Sequence, residues 1–197
     1  MGAFASALAG LFSRKRLELV LVGIYAASTP HLDLQICDNI SSGLENSGKT
    51  TLLNILASGE VVQTAPTIGL NVKSFRKGGV NMKAWDIGGQ QKFRDEWGRY
   101  TRGCDVIVFM VDASDKKKID TARYELHRLL ENPELSKVPL LVLGNKVDTE
   151  PHMTHDNVIQ ALNLDYITEN KWTMINISCT RNINLDKVVE WLTANSK

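Results

Sequence analysis

Gly43-Leu44-Glu45-Asn46-Ser47-Gly48-Lys49-Thr50 sets two glycines five positions apart and follows the second with Lys-Thr. Backbone N–H groups of such a loop can wrap an anion, and glycine supplies the φ angles that the wrapping needs. Lys49 would reach the outer phosphates of a nucleotide, and the Thr50 hydroxyl would be a ligand for Mg²⁺. A helix opening here points its positive end at the same place. Gly43, Asn46, Ser47, Gly48, Lys49, Thr50 and Thr51 are therefore the candidate phosphate contacts. The bland alternative is a Gly/Ser surface loop, and this spacing alone does not separate ATP from GTP.

Two further segments complete a possible site. In Trp85-Asp86-Ile87-Gly88-Gly89-Gln90, Asp86 follows apolar residues at a strand end, where a carboxylate can hold Mg²⁺ through water. Gly89 would offer its N–H to a terminal phosphate, and Gln90 would orient an attacking water. Asp-x-Gly-Gly is also ordinary turn chemistry. In Leu143-Gly144-Asn145-Lys146-Val147-Asp148, the Asp148 carboxylate can accept two hydrogen bonds from guanine's N1–H and exocyclic amine. Adenine lacks that donor pair and would leave a buried charge unpaired. Lys146 would lie across the base, and Asn145 would tie this loop to the phosphate loop. Ser178-Cys179-Thr180 would turn backbone N–H groups toward the guanine oxygen.

The elements that must position these residues alternate. Leu17–Val22 is a short apolar run, Val106–Val111 and Leu140–Leu143 have the look of buried strands, and Met174–Ile177 reads as a last strand. Val72–Phe75 and Val80–Trp85 flank Lys77-Gly78-Gly79, a hairpin turn. Helices are expected over Thr50–Ala57, Ile119–Leu130, His155–Leu162 behind Thr154 as N-cap, and Leu185–Leu192 behind Asn184. Strands alternating with helices predict an α/β fold with a mostly parallel six-stranded sheet covered on both sides.

With 197 residues, 23 Lys+Arg and 22 Asp+Glu, the chain fits one domain and lacks the basic excess of a general nucleic-acid binder. Cys37, Cys104 and Cys179 make neither a disulfide framework nor a metal cluster. No apolar run approaches the ~20 residues that span a bilayer. Residues 1–16 stand apart. Phe4, Leu8, Leu11 and Phe12 share a helical face, and Arg14-Lys15-Arg16 follow. Met1-Gly2-Ala3-Phe4-Ala5-Ser6 fits the myristoylation pattern, so Gly2 is a candidate lipid site. A single acyl chain holds a membrane only marginally, and an apolar face with a basic cluster would be the second signal. A terminal helix docked on the domain is the alternative.

These motifs, in this order, resemble the small GTPases of the ADP-ribosylation-factor and ARF-like group. Pro66-Thr67-Ile68-Gly69 and Trp85–Gln90 match its two switch segments. Trp97–Gly103, Glu125–Leu130 and Asn176–Cys179 are most similar to the ADP-ribosylation factor-like protein 8 subfamily. The resemblance covers residues 1–23 and 43–197. It implies the P-loop NTPase fold of small GTPases, GTP and GDP as nucleotides, and Mg²⁺ held by Thr50, Thr67 and, through water, Asp86. It implies that Gln90 is the catalytic residue, and that a partner's arginine is needed for fast hydrolysis. It further implies an N-terminal amphipathic membrane helix, an interswitch hairpin that slides when GTP replaces GDP, and exchange factors, GTPase-activating proteins and effectors as partners. Nucleic acid is not among them. The expected place is the cytoplasmic face of late endosomal or lysosomal membranes, with a cytosolic GDP form and a role in organelle positioning and vesicle transport.

The chain departs from that group in three places. Leu70 stands where Phe is usual, which shrinks the effector surface shared with Trp85 and Tyr100. Gly2 is unexpected, since the closest subfamily carries an acetylated N-terminus. Residues 24–43 separate the first strand from its P-loop. Deleting them joins Val22-Gly23 to Leu44 and restores the motif with Gly23 as its first glycine. The segment reads as a retained intron, an alternative isoform or a gene-model error, with a genuine surface loop as the rival. Two functions follow: a GTP-hydrolysing membrane switch, or an interaction module whose nucleotide binding is impaired. A P-loop ATP kinase is disfavoured by Asn145-Lys146-Val147-Asp148.

Overall fold

The structure, a computed structural model, describes residues 15–23, 47–61, 70–87 and 103–197. They form a six-stranded sheet in the order β2-β3-β1-β4-β5-β6, with β1 (Arg16–Gly23), β2 (Leu70–Lys77), β3 (Val80–Ile87), β4 (Val106–Asp112), β5 (Leu140–Asn145) and β6 (Trp172–Asn176). Only β2 runs antiparallel to its neighbour. Among the described residues four α-helices accompany them: α1 (Lys49–Ser58), α2 (Ile119–Leu130), α3 (His155–Ala161) and α4 (Leu185–Ala194).

Alternation along the strands sorts the core into two layers. Leu17, Leu19 and Leu21 of β1 face one side, with Val108 and Met110 of β4; α1 covers them with Leu52, Leu53 and Leu56, and α4 with Val188 and Leu192. Val20 and Val22 face the other side with Ile107 and Phe109, beneath Leu126 and Leu129 of α2 and Val158 of α3. Burial on both faces explains why β4, β5 and the Leu19–Val22 part of β1 read as apolar runs, whereas Glu18 nearer the start of β1 is exposed.

The β2–β3 hairpin closes on two residues, Gly78 and Gly79, both at positive φ (55° and 78°). That conformation matches the twist of paired strands and favours glycine. A Cβ on Gly78 would also approach Thr193 Oγ1 of α4 to 2.7 Å.

Two local expectations need correction. The last strand begins at Trp172 rather than Met174, because Trp172 and Thr173 pair with Leu140 and Leu141. Asn184 sits before α4 in the left-handed region without a side-chain cap; its Nδ2 donates instead to the Asn176 carbonyl at 2.7 Å. Thr154 does cap α3, accepting from the Asn157 N–H.

Before the start of β4, the amino end of β1 has no strand on its β4 flank. Lys197 fills the place: Arg16 donates to its carbonyl at 2.9 Å, and Lys197 donates back at 3.1 Å. Its ammonium pairs with Asp105 at 2.8 Å, and Asp105 accepts the Glu18 N–H. On the other flank Asn81 of β3 donates to the Lys15 carbonyl.

Candidate functional site

Five parallel strands end along one edge of the sheet. Gly23, Asp86, Asp112, Asn145 and Asn176 stand at or beside their carboxyl ends. The chain winds away from β1 in both directions, so this edge opens at the point where open α/β sheets hold ligands.

The phosphate side is built at the start of α1. Gly48 is its N-cap, with φ 91° and ψ 16°, and a Cβ there would overlap Asn145 Nδ2. Only glycine meets both demands at once. Lys49 is buried, and its Nζ donates to Ser47 Oγ at 3.4 Å. Thr50 Oγ1 donates to Asp86 Oδ2 at 2.7 Å, which brings the α1 hydroxyl and the β3 carboxylate together. Asp86 is fully buried. A hydroxyl and a carboxylate beside a glycine cradle are hard oxygen donors of the kind Mg²⁺ takes. Among the described residues no three His, Cys, Asp or Glu side chains gather into a metal cage.

The base side is built from the loops after β5 and β6. Asn145 is buried and joins three segments. Its Nδ2 donates to the Ser47 carbonyl at 2.8 Å, and its Oδ1 accepts the Cys179 N–H at 3.1 Å. Lys146 adopts φ 69°, and its ammonium meets Asp112 Oδ2 at 2.6 Å. The other oxygen, Oδ1, accepts both the N–H (3.0 Å) and the hydroxyl (2.6 Å) of Ser114. Thr180 Oγ1 donates to Asp148 Oδ2 at 3.0 Å and lies 3.1 Å from Ser178 Oγ. The Ser178 hydroxyl, with help from Thr180, holds the Asp148 carboxyl below the usual carboxylate range, against a smaller opposing effect of desolvation. Burial, reinforced by the Asp148 charge, pushes the Cys179 thiol up to about 12.

Two expectations about the base side are revised. Asp148 is exposed, not buried, so an unpaired-charge penalty arises only when a base covers it. Nor are all three N–H groups of Ser178-Cys179-Thr180 free for a base oxygen: Ser178 donates to the Ile183 carbonyl and Cys179 to Asn145. Thr180 alone of the three has no such backbone commitment among the described residues. The hydroxyls of Ser178 and Thr180 instead brace Asp148.

The structure thus brings together Ser47, Gly48, Lys49, Thr50, Asp86, Asn145, Lys146, Asp148, Ser178, Cys179 and Thr180, with Thr51 in the first turn of α1. Gly43, Asn46, Thr67, Gly89, Gln90, Gly2 and the N-terminal helix lie outside the described residues. Asp112 was not singled out by any motif. Its signal was available: an acid closing a buried strand, in direct register with Asn145. On the expected effector surface, Leu70 and Trp85 both pack partly against the core, Lys83 Nζ lies 4.4 Å from the Trp85 ring centre, and exposed Val72 pairs with Trp85. Tyr100 lies outside the described residues.

Comparison with known proteins agrees with this geometry. The model of the ADP-ribosylation factor family (Arf) matches residues 35–196. The chain is 40% identical over 156 residues to "ADP-ribosylation factor-like protein 8c" of Arabidopsis thaliana, covering 79% of this chain and 85% of that protein. Its fold is similar to a structure of the Arl6 BBS3 small GTPase from Trypanosoma brucei with bound nucleotide analogue GppNp, with TM-score 0.75 and 24% identity over 91% of this chain and 96% of the other. The chain belongs to the ADP-ribosylation factor family of small GTPases, which bind GTP or GDP with Mg²⁺ and hydrolyse GTP.

Proposed function

We propose that this chain is a membrane switch in which the edge described above holds the nucleotide and residues 1–16 carry its membrane anchor, with residues 17–197 as the GTPase domain. The observation that carries the reading is Asn145, whose one side chain fastens the phosphate loop to the Ser178–Thr180 loop. Guanine recognition falls to Asp148, Lys146 and Thr180, and phosphate binding to residues 47–51 together with Gly43, Asn46 and Gly89. Thr50, Thr67 and Asp86 would hold Mg²⁺, which neutralises charge developing on the phosphates. Gln90 orients the attacking water. The likeness to an ADP-ribosylation factor-like protein 8 supports effector recruitment on the cytoplasmic face of endolysosomal membranes, for organelle positioning, with the GDP form in the cytosol. Gly2 is the lipid site in this reading, with acetyl-Met1 its rival.

The test joins turnover to membrane binding. Gln90→Leu loaded with GTP should stay loaded and float with anionic liposomes, while the GDP form stays behind. Arg14, Lys15 and Arg16 should each add ~1 kcal/mol on anionic lipid. Equal flotation of the two forms would remove the coupling. Rapid single-turnover hydrolysis, undiminished by Gln90→Leu, would remove the role of that glutamine.

A further inference from the structure

We infer that Asp112 is a positioning residue for the nucleotide: it fixes Lys146 across the place of the base before any base arrives. The inference rests on the nucleotide reading above. Lys146 carries a flexible four-carbon stem, and an unanchored lysine would lose much of its rotamer freedom on each binding event. Here both ends are held. The backbone sits at φ 69°, which few non-glycine residues adopt, and the ammonium is 2.6 Å from Asp112 Oδ2. Both side chains are largely covered, at 24% and 15% exposure, so water screens the pair less than a surface ion pair.

Asp112 is itself immobile. Its backbone pairs in register with Asn145, and Ala113 donates to the Asn145 carbonyl at 2.8 Å. Ser114 occupies the other carboxylate oxygen twice. One oxygen therefore fastens the carboxylate to its own turn, and the second reaches across to β5's exit loop. The lysine stem is presented at a fixed height beside Asn145, whose side chain sets the phosphate loop. Base and phosphate halves then share one rigid origin, the paired ends of β4 and β5.

The geometry supplies its own control. Asp112→Asn keeps an oxygen for Ser114 and replaces the lysine's partner with an amide donor. Ser114→Ala removes the hydroxyl bond to the same carboxylate, keeping the backbone N–H bond, without touching Lys146. In the full chain loaded with fluorescent N-methylanthraniloyl-GDP, Asp112→Asn should release nucleotide about tenfold faster, as expected for a partly covered charge-assisted bond. Ser114→Ala should stay within about twofold of the parent. Lys146→Met should release faster too, and adding Asp112→Asn to it should change nothing further, because the carboxylate acts through the lysine.

If the parent chain does not retain GDP, the nucleotide reading and this inference fall together. If it does, and Asp112→Asn releases no faster, this inference alone falls. Equal acceleration by Ser114→Ala, a full Asp112→Asn effect in the Lys146→Met background, or a collapse of the nucleotide-free melting temperature in Asp112→Asn would each make Asp112 a structural residue and overturn the assignment.

Discussion

Asp148 is ionised before a base reaches it: Ser178 first, and then Thr180, whose Oγ1 donates to Oδ2 at 3.0 Å, hold its carboxyl below the ordinary 3.8. The folded value lies below the ordinary 3.8, so this contribution is complete above that value and is lost as pH falls through the folded one. GDP retention should therefore owe none of its pH dependence to Asp148 between about pH 7 and about pH 5. Replacing Ser178 by Ala, or Thr180 by Val, should raise the Asp148 value toward 3.8 in a carboxyl-carbon NMR titration; an unchanged titration would show that the hydroxyls do not set it. Asp148→Asn should cost GDP ~10²–10⁴-fold in affinity, two charge-assisted bonds' worth, and should improve xanthine nucleotides, whose carbonyl pairs with an amide. ATP displacing labelled GDP as well as GTP does would refute the base assignment.

The first turn of α1 is where one missing atom matters most. Gly48→Ala would force a left-handed φ on a residue with a side chain, at roughly 1–2 kcal/mol, and push its Cβ into Asn145. Because Asn145 also holds the Cys179 loop, the damage should spread from phosphates to base. The expected outcome is a lower melting temperature and at least ~tenfold faster GDP release; an unchanged release rate would mean that Asn145 yields freely. Much of this scale was legible in the sequence. β4 and β5 are buried on both faces and so are continuously apolar, and the Gly78-Gly79 turn has few alternatives. The start of β6 was not, since half-buried Trp172 and Thr173 follow a polar stretch and gain strand character only by pairing with β5. Asn184 looked like a cap because capping is local chemistry, whereas its bond runs eight residues back. The Lys146–Asp112 pair joins the end of β4 to the loop after β5, which only the sheet brings together. Asp148 was read as a buried charge from its pairing with a base, yet it lies three residues beyond the strand end, among Lys146, Thr149 and Glu150, where solvent begins.

For the whole molecule, the question is what residues 24–43 do between the end of β1 at Gly23 and the loop before Lys49. The family match itself opens inside this segment, at residue 35. A phosphate cradle needs its groups fixed to ~0.5 Å, and the cradle's first glycine is anchored by the strand that precedes it. The form lacking residues 24–43 places Gly23 there and should bind Mg²⁺-GDP more tightly and melt higher than the 197-residue form. Agreement of the two forms within about threefold in affinity would make the segment a tolerated loop. At the opposite end of β1, the reciprocal bonds between Arg16 and Lys197 give the molecule a fixed optical origin. A fluorescent donor attached at Lys197 keeps its place relative to Arg16, so an acceptor near Phe4 would report on residues 1–14 alone. Energy transfer between those two labels would then read, one molecule at a time, whether the amino terminus changes place on exchange of nucleotide.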